Sequence, residues 1–260
     1  MYVRPKKHLG QHFLKNPEIC ERIAAALTGF GGYTDILEIG PGTGALTSFL
    51  LKRTEFKTKV AEIDGESITY LNAYYPELRG NIIDKDFLGL ALNEIYTEQF
   101  AVIGNFPYNI SSQILFKVLD YKELVPELVG MFQKEVAERV AGKPGNKDYG
   151  ILSVLVQAYY DAEYLFTVDR LEFDPPPKVQ SGVIRIQRKP EQPFGCDEKK
   201  FKLVVKTAFN QRRKMLRGSI KSLLQPNQDI TAPVFSQRPE QLSVQEFKDL
   251  TNMIFPEKNT

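Results

Sequence analysis

Asn105-Phe106-Pro107-Tyr108 places an amide, a rigid turn and an aromatic ring directly behind the apolar run Val102-Ile103-Gly104. Those groups suit transfer to the exocyclic amine of a base such as adenine. The amine is a poor nucleophile because its lone pair is delocalised into the ring, so a catalyst must favour the pyramidal, increasingly positive nitrogen of the transition state. The side-chain oxygen of Asn105 and a backbone carbonyl, that of Phe106, can accept the two amine hydrogens and aim the lone pair. Pro107 fixes φ at roughly −65°, and Tyr108 offers a face for a base removed from its stack. Taken alone, the same four residues also make an ordinary strand-ending turn.

Upstream, Glu38-Ile39-Gly40-Pro41-Gly42-Thr43-Gly44 has the glycines of a tight turn that lets a ligand approach bare backbone. With Ala45 the run also fits the G-x-G-x-x-G/A dinucleotide fingerprint, and Glu62 follows roughly 20 residues on, where an acid would hold ribose hydroxyls. At the loop itself S-adenosylmethionine, a dinucleotide and a merely structural turn all remain open. Glu62 closes one strand-like run and Asp86, in Ile83-Asp84-Lys85-Asp86-Phe87-Leu88, follows the next. Carboxylates there can accept from both ribose hydroxyls and from an adenine amino group, which favours S-adenosylmethionine. Asp86 can equally be read as a cap. An NAD-dependent oxidoreductase would leave Asn105 to Tyr108 unexplained.

Residues of this kind work only if strand ends converge, and the chain has the elements for that. From Asp35 to about Arg188, apolar strand-like runs alternate with amphipathic segments, the pattern of an α/β domain with a mainly parallel sheet. Strands are predicted at Ile36–Ile39, Lys59–Ile63, Gly80–Ile83, Phe100–Ile103, Glu127–Phe132 and Val179–Ile186. Helices are predicted over Asn16–Leu27, Leu46–Lys52, Ser67–Ala73, Ser112–Leu119 and Lys134–Ala141. After Lys189-Pro190-Glu191-Gln192-Pro193 only helices are expected, over Glu198–Asn210, Arg213–Leu224 and Ser243–Phe255, so a boundary is placed between 1–189 and 190–260.

The 260 residues are 42% hydrophobic and 25% charged, the balance of an ordinary globular protein. No apolar run approaches the roughly 20 residues of a membrane span, and the N-terminus lacks a signal peptide's apolar core; a cytoplasmic location is expected. Cys20 and Cys196 lie far apart with no CxxC pair, so neither a disulfide nor a metal site is expected, and both read as packing residues. Net charge is only +2, yet Lys199, Lys200, Lys202, Lys206, Arg212, Arg213, Lys214, Arg217 and Lys221 follow one another with no acid between them. Such a run can be a solvated helix face or a nucleic-acid contact.

These motifs together resemble the KsgA-type small-subunit ribosomal RNA adenine dimethyltransferases. Further segments carry the likeness along the chain: Lys7 to Leu14, Phe132 to Arg139, Phe173-Asp174-Pro175-Pro176-Pro177-Lys178-Val179-Gln180-Ser181, Ala208 to Arg217 and Arg238 to Ser243. The resemblance implies a Rossmann-like S-adenosylmethionine-dependent methyltransferase sheet with helices on both faces and a small all-helical C-terminal domain. It implies cofactor contacts at His12, Leu14, Gly40, Gly42, Glu62, Asp86, Phe87 and Asn105. Target-base contacts are implied at Asn105, Pro107 and Tyr108, with Phe173 covering the base's other face. RNA phosphates are expected at Arg212, Arg213, Lys214 and Arg217 on one helix. The implied substrate is a pair of adjacent adenosines in the hairpin loop near the 3′ end of small-subunit rRNA in a pre-30S particle, methylated by a monomer.

Two residues depart from the family pattern. His12 stands for the usual Asn, and as a donor to the cofactor would make affinity pH-sensitive. Phe106 stands for the usual Leu, and is expected to matter mainly through its backbone. The rival readings are a large-subunit rRNA adenine methyltransferase of the antibiotic-resistance type and a non-catalytic RNA-binding relative. The segments Phe209 to Arg217 and Phe173 to Ser181 argue against the first, and the intact Glu62, Asp86 and Asn105 to Tyr108 against the second.

Overall fold

A computed structural model describes residues 2–190, 192–226 and 228–256. The chain forms two compact units, residues 1–138 with 161–188, and residues 139–160 with 189–260. The break expected near Pro190 thus lies close to one of the passages between them. Residues 139–160, which include the Gly- and Pro-rich run Gly142-Lys143-Pro144-Gly145-Asn146, also go with the C-terminal segment, an excursion that the expected boundary does not include.

The first unit begins with β1 (Phe13–Leu14) and α1 (Pro17–Ala25), which Asn16 caps by accepting the Glu18 N–H. Alternation then runs β2 (Asp35–Ile39), α2 (Thr47–Leu50), β3 (Lys57–Glu62), α3 (Gly65–Tyr74), β4 (Ile82–Asp84), α4 (Leu92–Ile95), β5 (Phe100–Asn105), α5 (Ser111–Asp120), β6 (Glu127–Gln133) and α6 (Lys134–Val140). After α7 (Ile151–Gln157) come β7 (Tyr160–Val168), β8 (Phe173–Asp174) and β9 (Ser181–Arg188). Seven strands make one sheet, ordered β4-β3-β2-β5-β6-β9-β7. The pairs among β2 to β6 are parallel, and β9 runs antiparallel to β6. β5 is buried from Phe100 to Ile103 and β6 from Glu127 to Phe132, so both faces of the sheet are covered, as a parallel sheet requires.

Strand order reverses at β2. The chain moves outward through β3 and β4, then returns to the other side of β2 with β5 and β6. A crevice therefore opens beyond the carboxyl ends of β2 and β5, the place where open α/β sheets bind ligands. Cys20 and Ile23 of α1, Leu46 at the start of α2 and Leu50 at its end pack with Ile36, Ala101, Ile103, Val129 and Met131 on one side of the sheet. Cys20 and Cys196 are both free thiols.

In the second unit α8 (Glu198–Asn210), capped by Asp197, contacts α7, α9 (Leu216–Ser219) and α10 (Val244–Ile254). Phe201, Val204, Val205, Phe235, Phe247, Leu250 and Ile254 form its interior. Ser243 and Glu246 start α10 with a reciprocal capping box.

The single helix expected over 213–224 does not form. Gln211 leaves helical geometry at the end of α8, and Met215 is extended at ψ 153°. The chain turns through 211–214, and only α9 and a 3₁₀ turn at Lys221–Leu223 follow. β7, which is not among the expected strands although Tyr160, Ala162, Tyr164, Phe166 and Val168 alternate with mostly polar residues, lies next to β9 at the sheet edge.

Candidate functional site

The carboxyl ends of β2, β3 and β5 and the turn after β4 face one cavity. His12, Leu14, Gly40, Gly42, Glu62, Asp86, Phe87, Asn105, Pro107 and Tyr108 all line it. Glu62 is 5% exposed. Its Oε1 accepts from the Ile63 and Asp64 N–H groups, both at 2.9 Å, and its Oε2 from the Gly42 N–H at 3.1 Å. Burial raises its pKa and those three donors pull it back. The carboxylate is thereby fixed in orientation while still bordering the cavity. Asp86 caps its own turn through Leu88 N–H at 2.9 Å with Oδ1, leaving Oδ2 without a partner among the described residues.

The glycine loop is shaped by neighbouring side chains as much as by room for a ligand. Gly42 has φ +56°, and a Cβ there would sit 2.7 Å from the Phe13 ring. Gly44 has φ +81°, and its Cβ would meet the Tyr75 ring at 2.5 Å. The Tyr75 hydroxyl donates to the Gly44 carbonyl at 3.0 Å. At Gly40 the nearest atoms to such a Cβ are those of Pro107, 3.8 Å away. Bare backbone thus meets Phe13 and Tyr75 at two of the three glycines.

Asn105 ends β5. Its Nδ2 donates to the His12 carbonyl at 2.9 Å. A carbonyl can only accept, so that bond fixes which end of the amide is nitrogen and leaves Oδ1 as an acceptor with no partner among the described residues. The Phe106 N–H bonds to the Met131 carbonyl at 3.1 Å, while the Phe106 carbonyl has no partner among the described residues. Two neutral acceptors therefore sit on consecutive residues. Tyr108 stands behind them with its hydroxyl 2.6 Å from Ser181 Oγ, and burial raises its pKa.

The Phe106 side chain is not idle, contrary to the expectation. It is 1% exposed and meets Phe132 edge-on, with ring centroids 5.0 Å apart. Gly104 and Gly130 are partners in the β5–β6 register, and a Cβ on either would strike its ring. Two facing glycines make the hollow that holds it.

Residues 6–14 form a strap along this cavity. Gln11 Nε2 donates to Asp64 Oδ2 at 3.1 Å, and Lys6 pairs with Asp64. Burial would raise the Asp64 carboxyl, but the bonds from Lys6, Gln11, Ser67 and the Glu66 N–H hold it below its ordinary value. His12 Nδ1 lies 2.7 Å from the Pro175 carbonyl, so this nitrogen carries the proton. Neutral His12 then has only Nε2 left, as an acceptor. Donation to a cofactor from Nε2 would need the imidazolium, which narrows the role expected of it.

Not every expected residue reaches the cavity. Phe173 is fully buried, pairs through its backbone with Leu14 and packs among Ile36, Val129 and Val183. Its ring belongs to the core, because the β1–β8 pairing turns it inward, and it presents no face to the cavity. In the second unit Arg212, Arg213 and Lys214 lie in a turn and Arg217 in α9, so they do not share one helix. Arg212 is partly buried and donates to the Asn146 carbonyl at 3.3 Å, with Glu240 at 3.9 Å. Arg213, Lys214 and Arg217 are exposed.

Sequence reasoning gave no role to Glu38, which also lines the cavity. Thr47 Oγ1 donates to its Oε2 at 2.6 Å, and burial pushes its carboxyl up to about 8. An acid inside the apolar strand Ile36-Leu37-Glu38-Ile39 was the available signal. Gln11, Asp64 and Ser181 carried none, since their partners are distant in sequence.

A model of the family described as ribosomal RNA adenine dimethylase matches residues 3–256. The chain is 58% identical over 252 residues to the ribosomal RNA small subunit methyltransferase A of Cytophaga hutchinsonii, covering 97% of this chain and 98% of that one. It is similar in structure to a dimethyladenosine transferase from Plasmodium falciparum, with a TM-score of 0.74 and 26% identity over 92% of this chain and 95% of that one. The 23S rRNA methyltransferase ErmE gives a TM-score of 0.66 and 25% identity over 92% of this chain and 99% of its own.

Proposed function

Since the chain belongs to the ribosomal RNA adenine dimethylase family, we propose that it dimethylates the N6 amines of two adjacent adenosines in the 3′-terminal hairpin loop of small-subunit rRNA. Its methyl donor is S-adenosyl-L-methionine, and it acts as a cytoplasmic monomer on a pre-30S particle. The observation that carries this reading is the pair of open acceptors on Asn105 and Phe106. The much higher identity to a small-subunit enzyme than to ErmE favours the small-subunit substrate over the large.

The residues present fit that donor. Glu62 keeps a fixed carboxylate beside the cavity for ribose hydroxyls, and Asp86 Oδ2 is open to an adenine amino group. When bound, S-adenosylmethionine supplies an electrophilic methyl on a sulfonium. Asn105 Oδ1 and the Phe106 carbonyl accept the two N6 hydrogens, which turns the nitrogen lone pair out of conjugation. The His12 carbonyl holds the Asn105 amide, so its orientation is set before substrate arrives. Tyr108, anchored at Ser181, gives the extruded base a face to stack on. Each transfer turns the sulfonium into a neutral thioether and releases one N6 proton, made acidic by alkylation, to solvent. After the first, one N6 hydrogen remains, and either acceptor can hold it for the second. Arg213, Lys214 and Arg217 supply phosphate contacts.

The test is transfer of labelled methyl to undermethylated small subunits, large subunits and naked rRNA, followed by nucleoside analysis. Dimethyladenosine confined to small subunits is expected, and label confined to large subunits would overturn the substrate. Asn105→Ala should abolish transfer while S-adenosylmethionine binding stays measurable. Near-normal turnover in that variant would remove Asn105 from the reaction.

A further inference from the structure

Lys117 projects from α5 to the turn that follows β4. Its ammonium donates to the Leu88 carbonyl at 2.9 Å and also to the Leu90 carbonyl. The same nitrogen lies 5.2 Å from the centre of the Phe87 ring and 5.7 Å from that of Tyr121. Phe87 is 3% exposed and lines the cavity with Asp86. The turn itself is short, a single 3₁₀ turn over Phe87–Gly89 whose N-cap is Asp86. The Asp86 and Phe87 carbonyls accept from the Gly89 and Leu90 N–H groups, but no backbone N–H among the described residues serves those of Leu88 and Leu90, which without Lys117 would lack a donor there.

We infer that Lys117 is a positioning residue for the adenine end of the cofactor site, holding the Asp86–Phe87 turn in its binding geometry from behind. This rests on the proposed use of S-adenosylmethionine. Two hydrogen bonds and a cation over the ring fix the turn at both ends, while the Asp86 cap fixes its start. Burial lowers the Lys117 pKa, and the carboxylates of Asp86 and Asp120 oppose that shift. Lys117 does not line the cavity, so its influence passes through the turn.

The experiment measures binding of S-adenosylmethionine and of 5′-methylthioadenosine, which keeps the adenosine but lacks the amino acid, by calorimetry on the full chain. Lys117→Met should weaken both by about tenfold, the loss expected when a charged hydrogen-bond donor is removed, and by the same factor. Turnover at saturating cofactor and KM for small subunits should stay near the wild-type values. Lys117→Arg, which can donate to both carbonyls, should recover most of the affinity. Circular dichroism and the melting temperature without ligand report whether each variant is folded. Equal affinity in wild type and a folded Lys117→Met would overturn the inference and leave the cofactor assignment standing. Loss of turnover at saturation with unchanged affinity would overturn it too. No binding by the wild-type chain would overturn the cofactor assignment, and this inference with it.

Discussion

Replacing Gly130 by alanine tests the seat of Phe106, on which the position of Asn105 depends. A Cβ at residue 130 would stand 2.1 Å from Phe106 Cε2 and 2.9 Å from Phe132 Cε2. Carbon atoms rest at roughly 3.5–4.0 Å, so the Phe106 ring must move by more than an ångström in a fully packed interior. Overpacking of that kind costs roughly 1–3 kcal/mol, and the edge-on Phe132 closes one escape route, so the upper end is expected. Phe106→Leu alone leaves a small void and should cost roughly 1 kcal/mol. In the double variant the shorter side chain makes room for the new methyl. Its destabilisation should therefore fall short of the sum by about 1–2 kcal/mol. Urea denaturation of the four proteins measures this directly. Gly130→Ala should also reduce turnover, because Asn105 and Pro107 flank the displaced ring, and Phe106→Leu should restore part of it. Additivity within about 0.5 kcal/mol would refute the claim that the facing glycines exist to hold Phe106.

The buried Glu38 carboxyl, held near 8 by burial, keeps a proton that the unfolded chain, near 4.5, has lost. Cofactor-free stability should therefore fall as pH rises from about 5 to 8, by a total on the order of a few kcal/mol, and Glu38→Gln should remove that fall; parallel pH profiles for the two proteins would count against it. Replacing Arg213, Lys214 and Arg217 together should weaken RNA binding and reduce the slope of log affinity against log salt by about 2–3, and an unchanged slope would move the phosphate contacts elsewhere. Arg212→Ala should instead lower the melting temperature, because Arg212 is held by Asn146 and Glu240.

Local features of the chain determine much of this protein's fold and site. Hydrophobic runs located the central parallel strands, because a strand buried on both faces has few polar options. The α8 limits Glu198–Asn210 followed from helical spacing, and the structure buries Phe201, Val204, Val205 and Ala208 along one face. Gly40 to Gly44, Glu62, Asp86 and Asn105 to Tyr108 could be read as one site because each closes a strand-like run, and parallel strands bring such ends to the same edge. The helix expected over 213–224 failed because spacing alone does not register an extended Met215.

What the sequence could not decide was which groups remain open for chemistry once the chain has folded. The Asn105 amide is oriented by a carbonyl 93 residues away, the Tyr108 hydroxyl by a serine 73 residues away, and His12 by Pro175. Phe173 looked like a partner for a base and is core, since pairing of β1 with β8 sets which way its ring faces. Phe106 looked dispensable and fills a slot made by glycines on two strands. Residue type and spacing state what a side chain can do. Only packing and long-range hydrogen bonds leave Asn105 Oδ1 and the Phe106 carbonyl without a partner among the described residues.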